Sequence, residues 1–148
     1  MDICFDMDGT IADLYGVQDW LTHLENENVY PYIAAKPLVR LNVLARYIHK
    51  LQQKGYRVII ISWLSKSGSA EYNEAVTAAK LEWLAKHLPS VTFDEIHIIP
   101  YGEPKINYGN GILFDDEESN RDLWDSKDMN FSFDVDDILL NVVGAIIG

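Results

Sequence analysis

"ICFDMDGTIAD", residues 3–13, decides how the rest of the chain is read. An apolar run, Ile3, Cys4 and Phe5, breaks into two aspartates one residue apart, Asp6 and Asp8, followed by Gly9 and Thr10. A continuous apolar run suits a strand covered on both faces, the condition of a parallel sheet. A solvated turn does not explain two acids at the carboxyl end of such a strand. A calcium loop beginning at Asp6 fails as well, because it needs glycine and glutamate where the chain has Ile11 and Val17. The two carboxylates therefore read as chemistry set at the mouth of a buried strand.

Outward from that stretch, short β-branched or aliphatic runs alternate with longer helical stripes, the pattern of a parallel sheet wrapped by helices. Residues 2–6 form the first predicted strand. Leu14, Val17, Leu21 and Leu24 fall at helical spacing and predict a helix over 14–27, after which "NENVYPYIAAKP" breaks the pattern. Leu38, Leu41, Leu44, Ile48 and Leu51 predict a second helix, closed by Gly55. "RVIIIS" predicts a buried strand ending at Ser62, and a third helix is expected over 70–88, stopped by Pro89. "EIHII", "GILF" and "FSFDV" supply three further strands, and "DDILLNVVGAII" a last helix. The expectation is one α/β domain over 1–148: a doubly wound, Rossmann-like parallel sheet of five strands with helices on both faces, and a minimal cap at about 14–36.

Composition narrows the function. At 148 residues, 48% of them hydrophobic, the chain can bury one large core. Its net charge of −11 argues against gripping nucleic acid through phosphates, which requires Lys and Arg to displace counterions. A small phosphate ligand is compatible with that charge if a cation is bound locally. The single cysteine, Cys4, excludes an internal disulfide and a multi-cysteine zinc site, and reads as a small buried hydrophobe. With no signal-like start and no apolar run near about 18 residues, no membrane association is expected and a reducing cytoplasm is the default. The four histidines show no ligand spacing and receive no role.

In doubly wound sheets ligands sit beyond the carboxyl ends of the strands, where strand order reverses. Asp6 and Asp8, Ser62, and the pair Asp115 and Asp116 all fall at strand ends, with Lys105 in the loop before the last pair. Carboxylates from two strand ends are hard oxygen ligands suited to Mg²⁺. A carboxylate attacking a phosphate dianion is opposed by roughly 8 kcal/mol, taking about 4 per unit charge pair at an effective dielectric of 20. A cation and a lysine answer that repulsion. On this reading Asp6 attacks phosphorus to form an aspartyl phosphate, and Asp8 protonates the leaving alcohol and later deprotonates water. Ser62, the backbone N–H of Trp63 and Lys105 hold the phosphate oxygens, with Lys80 and Lys66 as weaker alternatives to Lys105. Asp115 and Asp116 complete the metal site, and Asn120 is placed to bond Asp116 or a metal-bound water.

"DMDGT", the strand ending in Ser62, Lys105 in "EPKINYG" and "ILFDDE" resemble, in order, motifs one to four of the haloacid dehalogenase superfamily. The resemblance implies a Mg²⁺-dependent phosphohydrolase with Asp6 as nucleophile and Asp8 as acid/base. It also implies metal bound by the Asp6 carboxylate, the Asp8 carbonyl and an acid of the Asp115/Asp116 pair. The aspartate at position 8 is similar to that of the superfamily's phosphatases rather than its dehalogenases. The short interval from Lys105 to the acids resembles the 5'(3')-deoxyribonucleotidase branch, although only one helix and "NVYPYIAA" remain here to act as a lid.

Tyr30, Tyr32 and Trp63 are expected to wall the substrate, because they lie in loops near the catalytic edge, whereas Trp20 is expected to pack in the core or under the lid loop. The leading function is hydrolysis of a small phosphomonoester such as a nucleotide. The alternatives are a phosphatase of macromolecular ends and a catalytically idle phosphate-binding or regulatory module. Intact Asp6 and Asp8 favour the enzyme. The stripe Ile138, Leu139, Val142, Val143 and Ile146 suits a core-facing helix, and the same face would equally serve a homodimer.

Overall fold

A computed structural model describes residues 1–147, the side chains at 137, 140, 143 and 145–147 excepted. In chain order the elements are β1 (Asp2–Phe5), β2 (Ala12–Asp13), α1 (Trp20–Glu25), α2 (Tyr30–Ala34), β3 (Lys36–Pro37), α3 (Leu41–Gln53) and β4 (Arg57–Trp63). They continue with α4 (Ala70–His87), β5 (Glu95–Ile99), β6 (Gly111–Phe114), α5 (Glu118–Asp125), β7 (Phe131–Phe133) and α6 (Ile138–Ile147). Five strands form one sheet in the order β5-β4-β1-β6-β7. All its pairings are parallel. The chain leaves β1 toward β4 and β5, then returns to build β6 and β7 on the other side. The order reverses at β1, which sets a crevice directly beyond Phe5.

Side chains alternate across the pleat and divide the core in two. Ile3, Phe5, Val58, Ile60 and Phe114 face α3 and α6, packing on Leu44, Ile48, Leu51, Ile138 and Val142. Cys4, Ile59, Ile61 and Leu113 face the other way, against Trp124 of α5. Phe5 stacks on Phe114 with ring centroids 5.1 Å apart, a geometry contributing about 0.5–1.5 kcal/mol beyond area burial and locking β1 to β6 beside the crevice. Buried Cys4 has its thiol pushed up by desolvation, as suits a packing residue. The α3 stripe ends as its spacing predicts, with Gly55 in the left-handed region at φ 94°. Helix α4 is capped by Ser69, whose hydroxyl accepts from the Tyr72 N–H. In the C-terminal stripe Ile138 and Val142 are buried in the core, while Val143 and Ile146 lie outside the described side chains.

The segment between β1 and α3 departs from the single helix expected over 14–27. A 3-10 turn at Leu14–Gly16 and the short α1 replace it, with Asp19 between them at φ 58°. The four apolar residues at helical spacing serve different surfaces. Leu14 is buried against Tyr32, Tyr72 and Val76 with Leu24 packed on the same cluster, Val17 packs on the main core, and Leu21 of α1 stays half exposed at the crevice. "VYPYIAA" is not a loop, because its core folds as α2, with Pro31 in the first turn, and packs on α4. A two-stranded antiparallel ribbon, Ala12 opposite Pro37 and Asp13 opposite Lys36, clamps the base of this excursion. The result is a small insertion after β1, closed at its base by this ribbon.

Candidate active site

β1 carries the chain into the crevice with the Asp6 N–H donating to the Phe114 carbonyl, so Asp6 continues the sheet register past its last strand residue. The backbone then turns sharply: the N–H groups of Thr10, Ile11 and Ala12 donate to the Met7 carbonyl, and the Gly9 N–H donates to the Ala12 carbonyl. Gly9 sits at φ 80°, and a Cβ there would lie 2.4 Å from Asp116 Oδ2. Only glycine lets the loop after β1 pass this close to the acids after β6.

Asp6 is held from both sides. Lys105 Nζ donates to its Oδ1 at 2.9 Å and Thr10 Oγ1 to its Oδ2 at 3.0 Å. Lys105 also donates to Asp115 Oδ2 at 2.7 Å, and Thr10 lies 3.3 Å from Asp116 Oδ1. Carboxylate oxygens of Asp6, Asp115 and Asp116 all lie within 4.8 Å of one another. Burial and then the Asp6 charge push the Asp115 carboxyl up to about 6 and Asp116 to about 8. Two buried carboxyls and a part-exposed one, converging with one lysine, fit a hard divalent cation, whose charge would relieve that repulsion.

The two acids after β6 are engaged unequally. Asp115 is buried and accepts from Lys105 and Asn120 on Oδ2 and from the Glu117 N–H on Oδ1. Asp116 is part-exposed and shares only the Thr10 hydroxyl among these donors. Asn120 thus bonds Asp115 rather than Asp116, and Arg121 donates to the Asp115 carbonyl at 3.0 Å.

The two lysines also differ. Lys105 is 4% exposed, lines the crevice and spends two of its three N–H donors on Asp6 and Asp115. Burial would lower its pKa, but the two carboxylates outweigh that and raise it, so the ammonium stays charged. Lys80, from the middle of α4, donates to Asp8 Oδ2 at 2.9 Å, Ser62 Oγ at 2.7 Å and the Trp63 carbonyl at 2.6 Å. Asp8 is raised by burial, with Lys80 opposing the shift. Ser62 is fully buried under this lysine and does not line the crevice.

Above the acids lies a cavity of about 370 Å³, large enough for a small ligand. Its wall is largely aromatic: Tyr15, Trp20, Tyr32, Trp63 and Tyr101, joined by leucines of α1. Trp20 meets Tyr15 edge-on at 4.8 Å, and Trp63 meets Tyr101 at 4.9 Å. Of the three aromatics expected to wall a substrate, Tyr32 and Trp63 line this cavity. Tyr30 does not: it is half exposed, packs against His23 and is absent from the wall. Once "VYPY" folds as a helix, residues 30 and 32 point to different sides, and only Tyr32 reaches the crevice. Trp20 faces the cavity rather than the core, because α1 is a cover and not a core helix.

Two residues at the site, Thr10 and Tyr101, carry no role in the sequence reading, and Lys80 stands there only as a weaker alternative to Lys105. Thr10 was quoted in "DMDGT" without a role, though a hydroxyl two residues past a pair of strand-end acids is a natural donor to them. Lys80 was ranked below Lys105, because nothing in a helical stripe tells which lysine turns inward. Tyr101 carried no signal beyond being aromatic in a loop.

No family model matches the chain, and no curated protein matches it. Two solved structures are similar throughout their length. One is D,D-heptose 1,7-bisphosphate phosphatase from B. bronchiseptica, complexed with magnesium and phosphate, with a TM-score of 0.57 and 12% identity over 98% of this chain and 99% of that one. The other is the D,D-heptose 1,7-bisphosphate phosphatase from Burkholderia thailandensis, with a TM-score of 0.54 and 11% identity over the whole of both chains. With the strand order and the small insertion after β1, this likeness identifies the chain's architecture as the haloacid dehalogenase-like α/β fold.

Proposed function

We propose that the protein is a Mg²⁺-dependent phosphomonoester hydrolase working through a phosphorylated Asp6. The observation that carries the reading is the setting of Asp6, between Lys105 and Thr10 with the oxygens of Asp115 and Asp116 within 4.8 Å. Asp6, Asp116 and the Asp8 carbonyl are the proposed ligands, with Asp115 behind them, since Asp115 is fully buried and accepts from three protein donors whereas Asp116 is part-exposed. When bound, the cation supplies the positive charge that lets a carboxylate approach a phosphate dianion.

A carboxylate oxygen of Asp6 bonds to phosphorus as the bond from phosphorus to the leaving oxygen breaks, and Asp8 gives that oxygen its proton. Water then attacks phosphorus, Asp8 takes its proton, and the Asp6 carboxylate and inorganic phosphate are released. The third N–H of Lys105 and the Trp63 N–H are assigned to phosphate oxygens, with Ser62 buried under Lys80 behind them. The region 14–36 is the lid of this single catalytic unit.

The substrate we infer is a small phosphorylated metabolite whose leaving group carries a flat ring, nucleotides among them. Five aromatic side chains on one small cavity support this, since base stacking on an aromatic is worth about 1–3 kcal/mol. A sugar bisphosphate, the substrate named for the two similar structures, would need a cationic grip for its second phosphate. Among the described lining residues the cations are Lys105 and Lys66 alone. The net charge of −11 favours a small molecule over a nucleic-acid end. No described helix is long and apolar enough to cross a membrane, and the lone buried Cys4 suits the cytoplasm.

Hydrolysis of p-nitrophenyl phosphate tests the reading. Activity should appear with Mg²⁺, vanish with chelator and fall to background in Asp6→Asn with the fold intact by circular dichroism. Activity in Asp6→Asn near the wild-type level would overturn it.

A further inference from the structure

We propose that Lys80 is a positioning residue for the phosphohydrolase reaction, one that aims both Asp8 and Ser62 without touching the phosphate. The inference rests on the reading above and adds a residue to it. An ammonium group has three donors, and Lys80 spends all of them, on Asp8 Oδ2, Ser62 Oγ and the Trp63 carbonyl. It is 1% exposed and absent from the cavity wall, and the Tyr32 ring, 5.3 Å from Nζ, lies over it. No donor is left for a substrate oxygen, and no path leads to one. Lys105 has the opposite character, with a donor in reserve and a place on the wall.

Each of the three bonds has a consequence. With Oδ2 of Asp8 occupied, the proton that passes to the leaving oxygen belongs on Oδ1, so Lys80 selects which carboxyl oxygen performs acid/base work. Ser62 Oγ accepts from Lys80, so its own O–H must point elsewhere and the hydroxyl is fixed at the end of β4 behind the crevice. The bond to the Trp63 carbonyl pins the peptide that follows, at the end of β4. A single buried charge on α4 thereby couples the general acid on one strand end to the hydroxyl and the peptide at the end of the next.

The test is the dependence of rate on leaving group in Lys80→Gln and Lys80→Met, each with and without Asp8→Asn. An alkyl phosphate needs protonation of its departing oxygen and 2,4-dinitrophenyl phosphate does not. General acid help is typically worth about 10²–10⁴-fold. The Lys80 variants should therefore lose about 10²-fold or more on the alkyl ester relative to the dinitrophenyl ester. In the Asp8→Asn background the same changes should add little further loss on the alkyl ester. Equal losses on both esters, or full additivity with Asp8→Asn, would overturn the proposal and reduce Lys80 to a packing residue. Lys80→Gln retains a hydrogen-bond donor and is the variant read if Lys80→Met does not fold; if both unfold, Lys80→Arg is read by the same ratio. A wild-type enzyme inert toward both esters would instead sink the phosphatase reading itself.

Discussion

The floor of the crevice and the lid above it are built on opposite physical plans. On the floor, Asp6, Asp115, Lys80 and Lys105 are buried, and each is fixed by named donors or acceptors at 2.6–3.2 Å. The lid helix α1 buries no residue, leaves Leu21 51% exposed, and meets the cavity through rings and leucines. Polar groups held in low dielectric are costly to misplace, so the floor specifies geometry. Apolar walls are tolerant of position and grip by area, so the lid sets affinity. Changes on the floor should move the chemical step, and changes in the lid should move KM.

The sharpest contrast is expected at Asp8. Asp8→Asn should slow alkyl phosphates by about 10²–10⁴-fold while sparing good leaving groups, as removal of a general acid does. Steady-state rates across phenols of graded acidity would show it, and a uniform loss would mean that Asp8 serves geometry alone.

The next effect is on stability. Without metal, the folded state keeps protons on Asp115 and Asp116, pushed up to about 6 and 8, whereas the unfolded chain releases them in the ordinary carboxylate range. Between about pH 4 and 8 the native state thus binds more protons than the unfolded one. This contribution to stability is fully present at the acid end and lost as pH rises. Mg²⁺ competes with those protons, so the rise in Tm it causes should be greater at pH 8 than at pH 5. Thermal melts at the two pH values measure this, and an equal rise at both would place the cation elsewhere.

The smallest effect belongs to the lid. Trp20→Ala should raise KM for a nucleoside monophosphate by about tenfold, the equivalent of about 1.4 kcal/mol of stacking, with much less change for a ringless ester. A matching change for both esters would assign the lid to closure rather than to ring recognition.

The same contrast explains what could be read from residues alone. Strand-end acids follow buried runs with period two or none, so Asp6, Asp8, Asp115 and Asp116 were legible, and Lys105 stood one loop away. The sheet followed from those runs. The lid was not legible, because Leu14, Val17, Leu21 and Leu24 match a helix by spacing yet divide between a small cluster around Tyr32 and Tyr72, the main core and the half-exposed crevice rim. Tyr30 and Tyr32 look alike in sequence and part company only once α2 forms. Lys80 is hidden for a related reason. Helical pattern favours apolar residues inside, and a buried lysine is intelligible only when Asp8 and Ser62, 72 and 18 residues away in sequence, are seen around it.

The central claim is that Asp6 becomes phosphorylated, and trapping the enzyme in turnover tests it most directly. The protein would be mixed with Mg²⁺ and a fast aryl phosphate, quenched with borohydride and digested for peptide mass spectrometry. The account predicts reduction of the residue 6 carboxyl to an alcohol in the peptide bearing "CFDMDG", dependent on both Mg²⁺ and substrate. An unmodified Asp6 under conditions of rapid turnover, or a reduced carboxyl at Asp8 or Asp116 instead, would contradict it.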